Sequence, residues 1–158
     1  MCVYRLPRLL DLNAASRLIR GRRVLIVAGR CLELEKPWAL EKALGLAGGE
    51  GEAAVVTVCL EAEHVNMVGF KLAGILARVG GIEEVWAVTT DGSMHCVQLH
   101  YMLEELEKTM PGRFRRRHLV ATRGELVEVP PEAVKLSRRL AELAKRLASS
   151  RGEQPPRP

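Results

Sequence analysis

The sequence predicts a small doubly wound α/β fold, Rossmann-like or flavodoxin-like, with a mainly parallel sheet of about four strands and helices on both faces. Three observations carry that prediction. Residues 23–28 (RVLIVA), 53–58 (AAVVTV) and 84–89 (EVWAVT) are apolar runs without polar alternation, the mark of strands buried on both faces, as in parallel sheets. Segments of helical period lie between them, at residues 38–46 and 63–79. Right-handed crossovers then distribute the helices of this β-α-β-α-β series over both faces.

The remaining elements follow in chain order. Residues 9–20, closed by Gly21, are expected to form a leading helix. In residues 63–79, Val65, Val68, Leu72, Ile75, Leu76 and Val79 share one stripe, so this helix buries one side. Residues 93–110 continue the series, with Cys96, Leu99, Leu103, Leu106 and Met110 inward and Pro111-Gly112 as the stop. A fourth strand is expected at 118–122, a turn at Arg123-Gly124, and a short return strand at 125–129. Pro130-Pro131 opens a last helix, 131–148, with Ala133, Leu136, Leu140, Leu143, Ala144 and Leu147 on one stripe. That stripe is expected to pack on the domain; a dimer seam, and hence an oligomer, is the alternative. Docking on a larger complex is neither favoured nor opposed by its residues.

A chain of 158 residues, 47% hydrophobic and 27% charged, suits one core and one domain. The expected domain is 1–148, with 149–158 a disordered tail rich in Pro, Gly and Arg. No apolar run approaches the length of a signal peptide core or a membrane span, so a cytoplasmic protein without membrane contact is expected. Side-chain amides occur only at Asn13, Asn66, Gln98 and Gln154, a composition that fits a thermophile because amides are heat-labile. The formal charge of +5 suits a polyanionic partner as well as ordinary solubility.

Ligands of open parallel sheets bind beyond the carboxyl ends of the strands, which directs attention to the residues after each run. Gly29-Arg30-Cys31 follows the first, Cys59-Leu60-Glu61 the second with His64 next, and Thr90-Asp91-Gly92-Ser93-Met94-His95-Cys96 the third. One cysteine thus follows each strand. Thiolates and imidazoles ligate transition metals and iron–sulfur clusters, and thiolates are the nucleophiles of redox and sulfur-transfer chemistry. Cys31, Cys59, Cys96 and His100 are therefore the candidate metal ligands, Cys96 and His100 lying one helical turn apart on one side. Cys59, Cys96 and His95 are the candidate catalytic groups. Against this, free cysteine is often a small core hydrophobe, and neither a CxxC pair nor a zinc or ferredoxin spacing is present. Cys2 is expected to be incidental. His118, among arginines at the start of its strand, falls at the far end and is left out.

Asp91-Gly92-Ser93 is the candidate anion site, since a glycine turn and helix-start amides can hold a phosphate or carboxylate; a plain capped turn is the competing reading. No GxGxxG or Walker sequence occurs. Arg113, Arg115, Arg116 and Arg117 cluster before the fourth strand and offer a weak nucleic-acid contact, without the aromatic platform that RNA-binding sheets use.

Two functions follow. The first is a thiol-dependent protein in redox, sulfur-transfer or metal/iron–sulfur chemistry, with a small molecule or a redox or sulfur partner protein; a transition metal or iron–sulfur cluster is its expected cofactor. The alternative is a non-catalytic module that binds a nucleotide, another anion or a partner protein at Asp91-Gly92-Ser93, with the basic edge as an added contact. Whether the protein is an enzyme is left open by the residues.

Overall fold

The computed structural model describes residues 4–152; Cys2 and the tail beyond residue 152 lie outside them. The chain divides into two compact units, one through Glu128 and one from Val129 onward.

In the first unit, β1 (Val24–Gly29), β2 (Ala53–Val58), β3 (Glu84–Thr90), β4 (Arg115–Ala121) and β5 (Leu126–Glu128) form one five-stranded sheet in the order β2-β1-β3-β4-β5. The first four strands are parallel and β5 returns antiparallel on β4. Every residue of β1 is buried, as an unalternating apolar run at the centre of a parallel sheet requires. Two layers of helix complete the burial. Leu25, Val27, Val85 and Ala87 pack with Leu72 and Leu76 of α3 (Val65–Arg78) and Leu99 and Leu103 of α4 (Cys96–Thr109). Val24, Ile26, Trp86 and Val88 pack with Leu32 of α1 (Leu32–Glu35) and Ala39, Leu40 and Ala43 of α2 (Pro37–Leu46). Each fully buried Leu or Ile contributes roughly 1.5–3 kcal/mol, so these two clusters dominate the unit's stability.

Three expected elements differ, the leading and last helices because side chains compete for backbone groups and the fourth strand because its arginines find partners. The leading helix reduces to a 3-10 turn at Leu9–Asp11. Beyond it Asn13 Oδ1 accepts from the Ala15 amide (2.8 Å) and Ser16 Oγ from the Leu18 amide (3.2 Å), local turns that replace helical pairing. β4 begins at Arg115 rather than residue 118, because Arg115–Arg117 pair in register with Glu84–Trp86 and their charges find partners. Arg115 reaches Glu84 (2.9 Å), and Arg117 lies over the Trp86 ring (4.1 Å) while bonding Glu128 (2.7 and 2.8 Å).

The second unit is a pair of helices, α5 (Pro131–Ser137) and α6 (Leu140–Ser150), where the sequence suggests one. Ser137 Oγ donates to the Val134 carbonyl (2.8 Å) at the break, a back-bond that weakens the continuing ladder. The helix runs past residue 148, into the segment expected to be tail. No helix of the described residues is long and apolar enough to cross a membrane.

Candidate functional site

The connection from β1 goes to β2 on one side, and that from β2 crosses to β3 on the other. The order reverses between β1 and β3, and the crevice beyond their carboxyl ends is the place where such sheets hold ligands. Gly29 ends β1 there. A Cβ on Gly29 would lie 3.7 Å from Cys96 Sγ and 3.9 Å from the Thr89 Cα, so the Cys96 thiol sits on the bare glycine backbone at the switch point. The start of α4 fixes it. Ser93 Oγ accepts the Cys96 amide (3.2 Å), while Leu99, Leu103 and Leu106 bury the stripe that begins with this cysteine.

The other two cysteines come to the same edge. Cys31 opens α1 directly after β1. Cys59 follows β2 and donates its amide to Glu63 Oε2 (2.9 Å). Glu63 is buried and accepts from Arg8 Nε (3.0 Å), which pins the Cys59 turn to the N-terminal segment. All three thiols are free and half-buried. Burial pushes the Cys31 thiol above its ordinary value, and the nearby Cys96 and then Cys59 thiols push it the same way. Cys96 and Cys59 therefore both lie near enough to Cys31 to disfavour its ionised form. The three do not converge on one point: among the described residues no group of three His, Cys, Asp or Glu side chains could hold a metal ion.

His100 is not the rim ligand that its spacing from Cys96 suggests. It is buried, and both ring nitrogens are engaged, Nε2 with Thr89 Oγ1 (2.8 Å) and Nδ1 with His118 Nδ1 (3.0 Å). The strand alternation that turns Thr89 toward α4 also places it within hydrogen-bond reach of His100. Burial lowers the His100 pKa to about 4. His118 is lowered to about 3, first by burial, then by His100 and Arg116. His118, set aside as a residue of the far end, thus lies in the core; the signal missed was that β4 starts three residues earlier, which puts His118 mid-strand. His95 is half-buried at the α4 start without a capping hydrogen bond. His64 is exposed and caps α3 through Nδ1, which accepts from the Asn66 amide (3.2 Å).

In the turn after β3, the Asp91 amide donates to the Ala121 carbonyl (3.0 Å), Gly92 has φ +79°, and Ser93 holds the Cys96 amide. This is the capped turn. Asp91 and Gly92 are exposed. The basic edge is largely self-satisfied. Arg113 donates to the carbonyls of Leu76 (2.9 Å), Val79 (2.6 Å) and Ile82 (3.1 Å), closing the end of α3. Arg116 pairs with Glu104 (3.6 Å) and with Glu107. Arg115 and Arg117 are paired as described above, so the four arginines are not a free cationic surface.

Two further residues of the carboxyl edge carry no sequence signal as a site. Lys36 Nζ donates to Thr90 Oγ1 (2.9 Å) and to the Ala121 carbonyl (2.8 Å), at the ends of β3 and β4. Arg30 stacks over the Tyr4 ring (4.3 Å). Neither partner is near in sequence, so only the fold reveals them.

No curated protein and no solved structure matches this chain. A family model described as a Rossmann-like domain matches residues 16–152, a span that includes the sheet, the crevice and all three of its cysteines. With the parallel sheet, helices on both faces and a switch point between β1 and β3, the chain belongs to this family of Rossmann-like domains.

Proposed function

We propose that this is a thiol-dependent protein that works at the switch-point crevice, with Cys31, Cys59 and Cys96 acting in redox, sulfur-transfer or iron–sulfur chemistry. The observation that carries the reading is the position of Cys96 Sγ on Gly29, with Cys31 close enough to both other thiols for each to raise its pKa. Three interacting thiols at the ligand-binding edge favour chemistry on sulfur over packing, since a packed cysteine needs neither neighbour. Among the described residues no group of three ligand side chains could hold a metal ion, which favours a substrate lying between the thiols over a mononuclear centre with its Zn–S bonds of about 2.3 Å. His100 drops out of the ligand set; His95 remains the nearest imidazole in sequence to Cys96. Free thiols of this kind persist in a reducing compartment, which is the basis for a cytoplasmic assignment.

The test is elemental analysis and an optical spectrum of anaerobically purified protein, repeated with Cys31→Ser, Cys59→Ser and Cys96→Ser. Iron or another metal lost in all three variants supports a shared site. A colourless, metal-free protein whose cysteines also form no disulfide with a mild oxidant, and no persulfide when sulfide is supplied together with that oxidant, would end this reading.

A further inference from the structure

The carboxyl edge carries two cations, Arg30 and Lys36, without a carboxylate partner among the described residues. Arg30 follows β1, its amide bonded to the Val58 carbonyl at the end of β2 (2.8 Å). Its guanidinium face is covered by the Tyr4 ring, and stacking leaves the in-plane N–H groups free to donate. Nη1 is buried and has no hydrogen-bond acceptor among the described residues. A buried donor without an acceptor is costly and uncommon. Lys36 is placed on the other side, between the ends of β3 and β4, by a hydroxyl and a carbonyl. Neither acceptor carries charge.

The carboxylates of this edge are engaged elsewhere or exposed. Glu33 accepts from the amides of Arg5 and Leu6, and Glu63 takes Arg8 and the Cys59 amide. Glu35 and Asp91 are exposed. Among the described residues no carboxylate lies within ion-pair distance of Arg30 or Lys36, in contrast to Arg116 and Arg117 at the opposite edge. Arg30 follows Gly29, the end of β1 against which the Cys96 thiol lies, and Lys36 is held at the ends of β3 and β4, so both cations belong to the carboxyl edge.

We infer that the crevice binds a small polyanion carrying phosphate or carboxylate groups, with Arg30 and Lys36 meeting its charge and its body lying over Gly29 beside Cys96. The inference deepens the thiol reading by naming the ligand class of the same crevice. It also moves the anion site from the Asp91-Gly92-Ser93 turn, whose serine already holds an amide, to the two cations on either side. Arg30 offers fixed in-plane donors and Lys36 a point charge, a combination suited to oxyanions.

The test uses pyrophosphate and, separately, citrate, each at constant ionic strength against chloride. Calorimetry reads binding, and the rate of alkylation by neutral iodoacetamide reads access to Cys96 and Cys31. Saturable binding is expected, with alkylation of Cys96 slowed severalfold. Arg30→Gln and Lys36→Gln should each weaken binding roughly tenfold or more, the loss of one charge-assisted contact, whereas Lys36→Arg retains it and controls for folding. A response to pyrophosphate alone assigns a phosphate ligand, and one to citrate alone a carboxylate ligand. Binding that fails to saturate, or that is equal in wild type and both glutamine variants, overturns the inference. Binding that survives in the Cys31→Ser/Cys96→Ser double variant, in a protein that shows no thiol chemistry, would retain the anion site and sink only the thiol reading.

Discussion

The Nδ1 atoms of His100 and His118 face each other at 3.0 Å between α4 and β4, and one neutral protonation pattern satisfies the whole chain they belong to. Arg116 Nε donates to His118 Nε2 (3.2 Å), so His118 carries its proton on Nδ1 and donates to His100. His100 then carries its proton on Nε2 and donates to Thr89 Oγ1 (2.8 Å). The permanently charged Arg116 sets both tautomers.

This pair makes stability depend on pH. Both histidines are neutral in the fold, with pKa values near 4 and 3, against about 6.5 when unfolded. Below that value the unfolded chain takes up protons that the fold refuses. The pair's contribution is therefore complete above pH 6.5 and lost as pH falls toward 4, by on the order of a few kcal/mol. Denaturant midpoints from pH 7.5 to 4 measure it. His100→Phe leaves the His118 Nδ1–H without an acceptor and should cost roughly 1–3 kcal/mol at pH 7.5 while flattening the slope. A wild-type profile already flat between pH 6.5 and 4.5 would contradict the buried neutral pair.

Cys31 should react with iodoacetamide with a midpoint above that of an ordinary thiol, because burial and the thiolates of Cys96 and Cys59 disfavour its ionised form. Cys96→Ser removes one like charge and should shift the Cys31 midpoint down, with Cys59→Ser acting the same way to a smaller extent. Rate–pH profiles followed by mass spectrometry decide it; a Cys31 midpoint indifferent to both changes means that the thiols do not interact.

Gly29→Ala places a methyl group in ordinary contact with Cys96 Sγ (3.7 Å) and the Val88 carbonyl (3.8 Å). Folding should tolerate it within about 1 kcal/mol, given the partial offset from reduced unfolded-state entropy. Gly29→Leu cannot fit and should displace Cys96, seen as faster alkylation of that thiol together with a loss of roughly 1–3 kcal/mol. Equal alkylation rates in wild type and the leucine variant would separate the thiol from the glycine.

Arg113→Met removes three hydrogen bonds, to the carbonyls of Leu76 and Val79 at the end of α3 and of Ile82 in the loop beyond it, and should destabilise the fold by about 2–4 kcal/mol, as charged hydrogen bonds contribute roughly 1.5–3 kcal/mol each without full additivity. Arg113→Lys should recover less than half, because one ammonium cannot reach carbonyls spread around a planar fork. Full recovery by lysine in urea denaturation would point to charge alone.

The sheet and the two layers on it are legible in the sequence, because burial on both faces leaves unalternating runs such as VLIVA and AAVVTV, and helical stripes stand out between them. The return strand after Arg123-Gly124 and the gathering of Cys31, Cys59 and Cys96 at one edge follow from the same rhythm. The leading segment is not the helix its periodicity implies and the last helix is broken in two, since Asn13, Ser16 and Ser137 offer the backbone local partners that periodicity does not register.

What the sequence by itself determined is the α/β class and the edge at which Cys31, Cys59 and Cys96 gather, because both depend on the order of apolar runs. Only the tertiary structure decided the rest: that His100 bonds Thr89 and His118, that Arg113, Arg115, Arg116 and Arg117 are held by internal partners, and that Arg30 and Lys36 have no carboxylate partner among the described residues. These are pairings across long sequence separations, such as Lys36 with Ala121. Strand order and side-chain direction create them, and no local pattern encodes either.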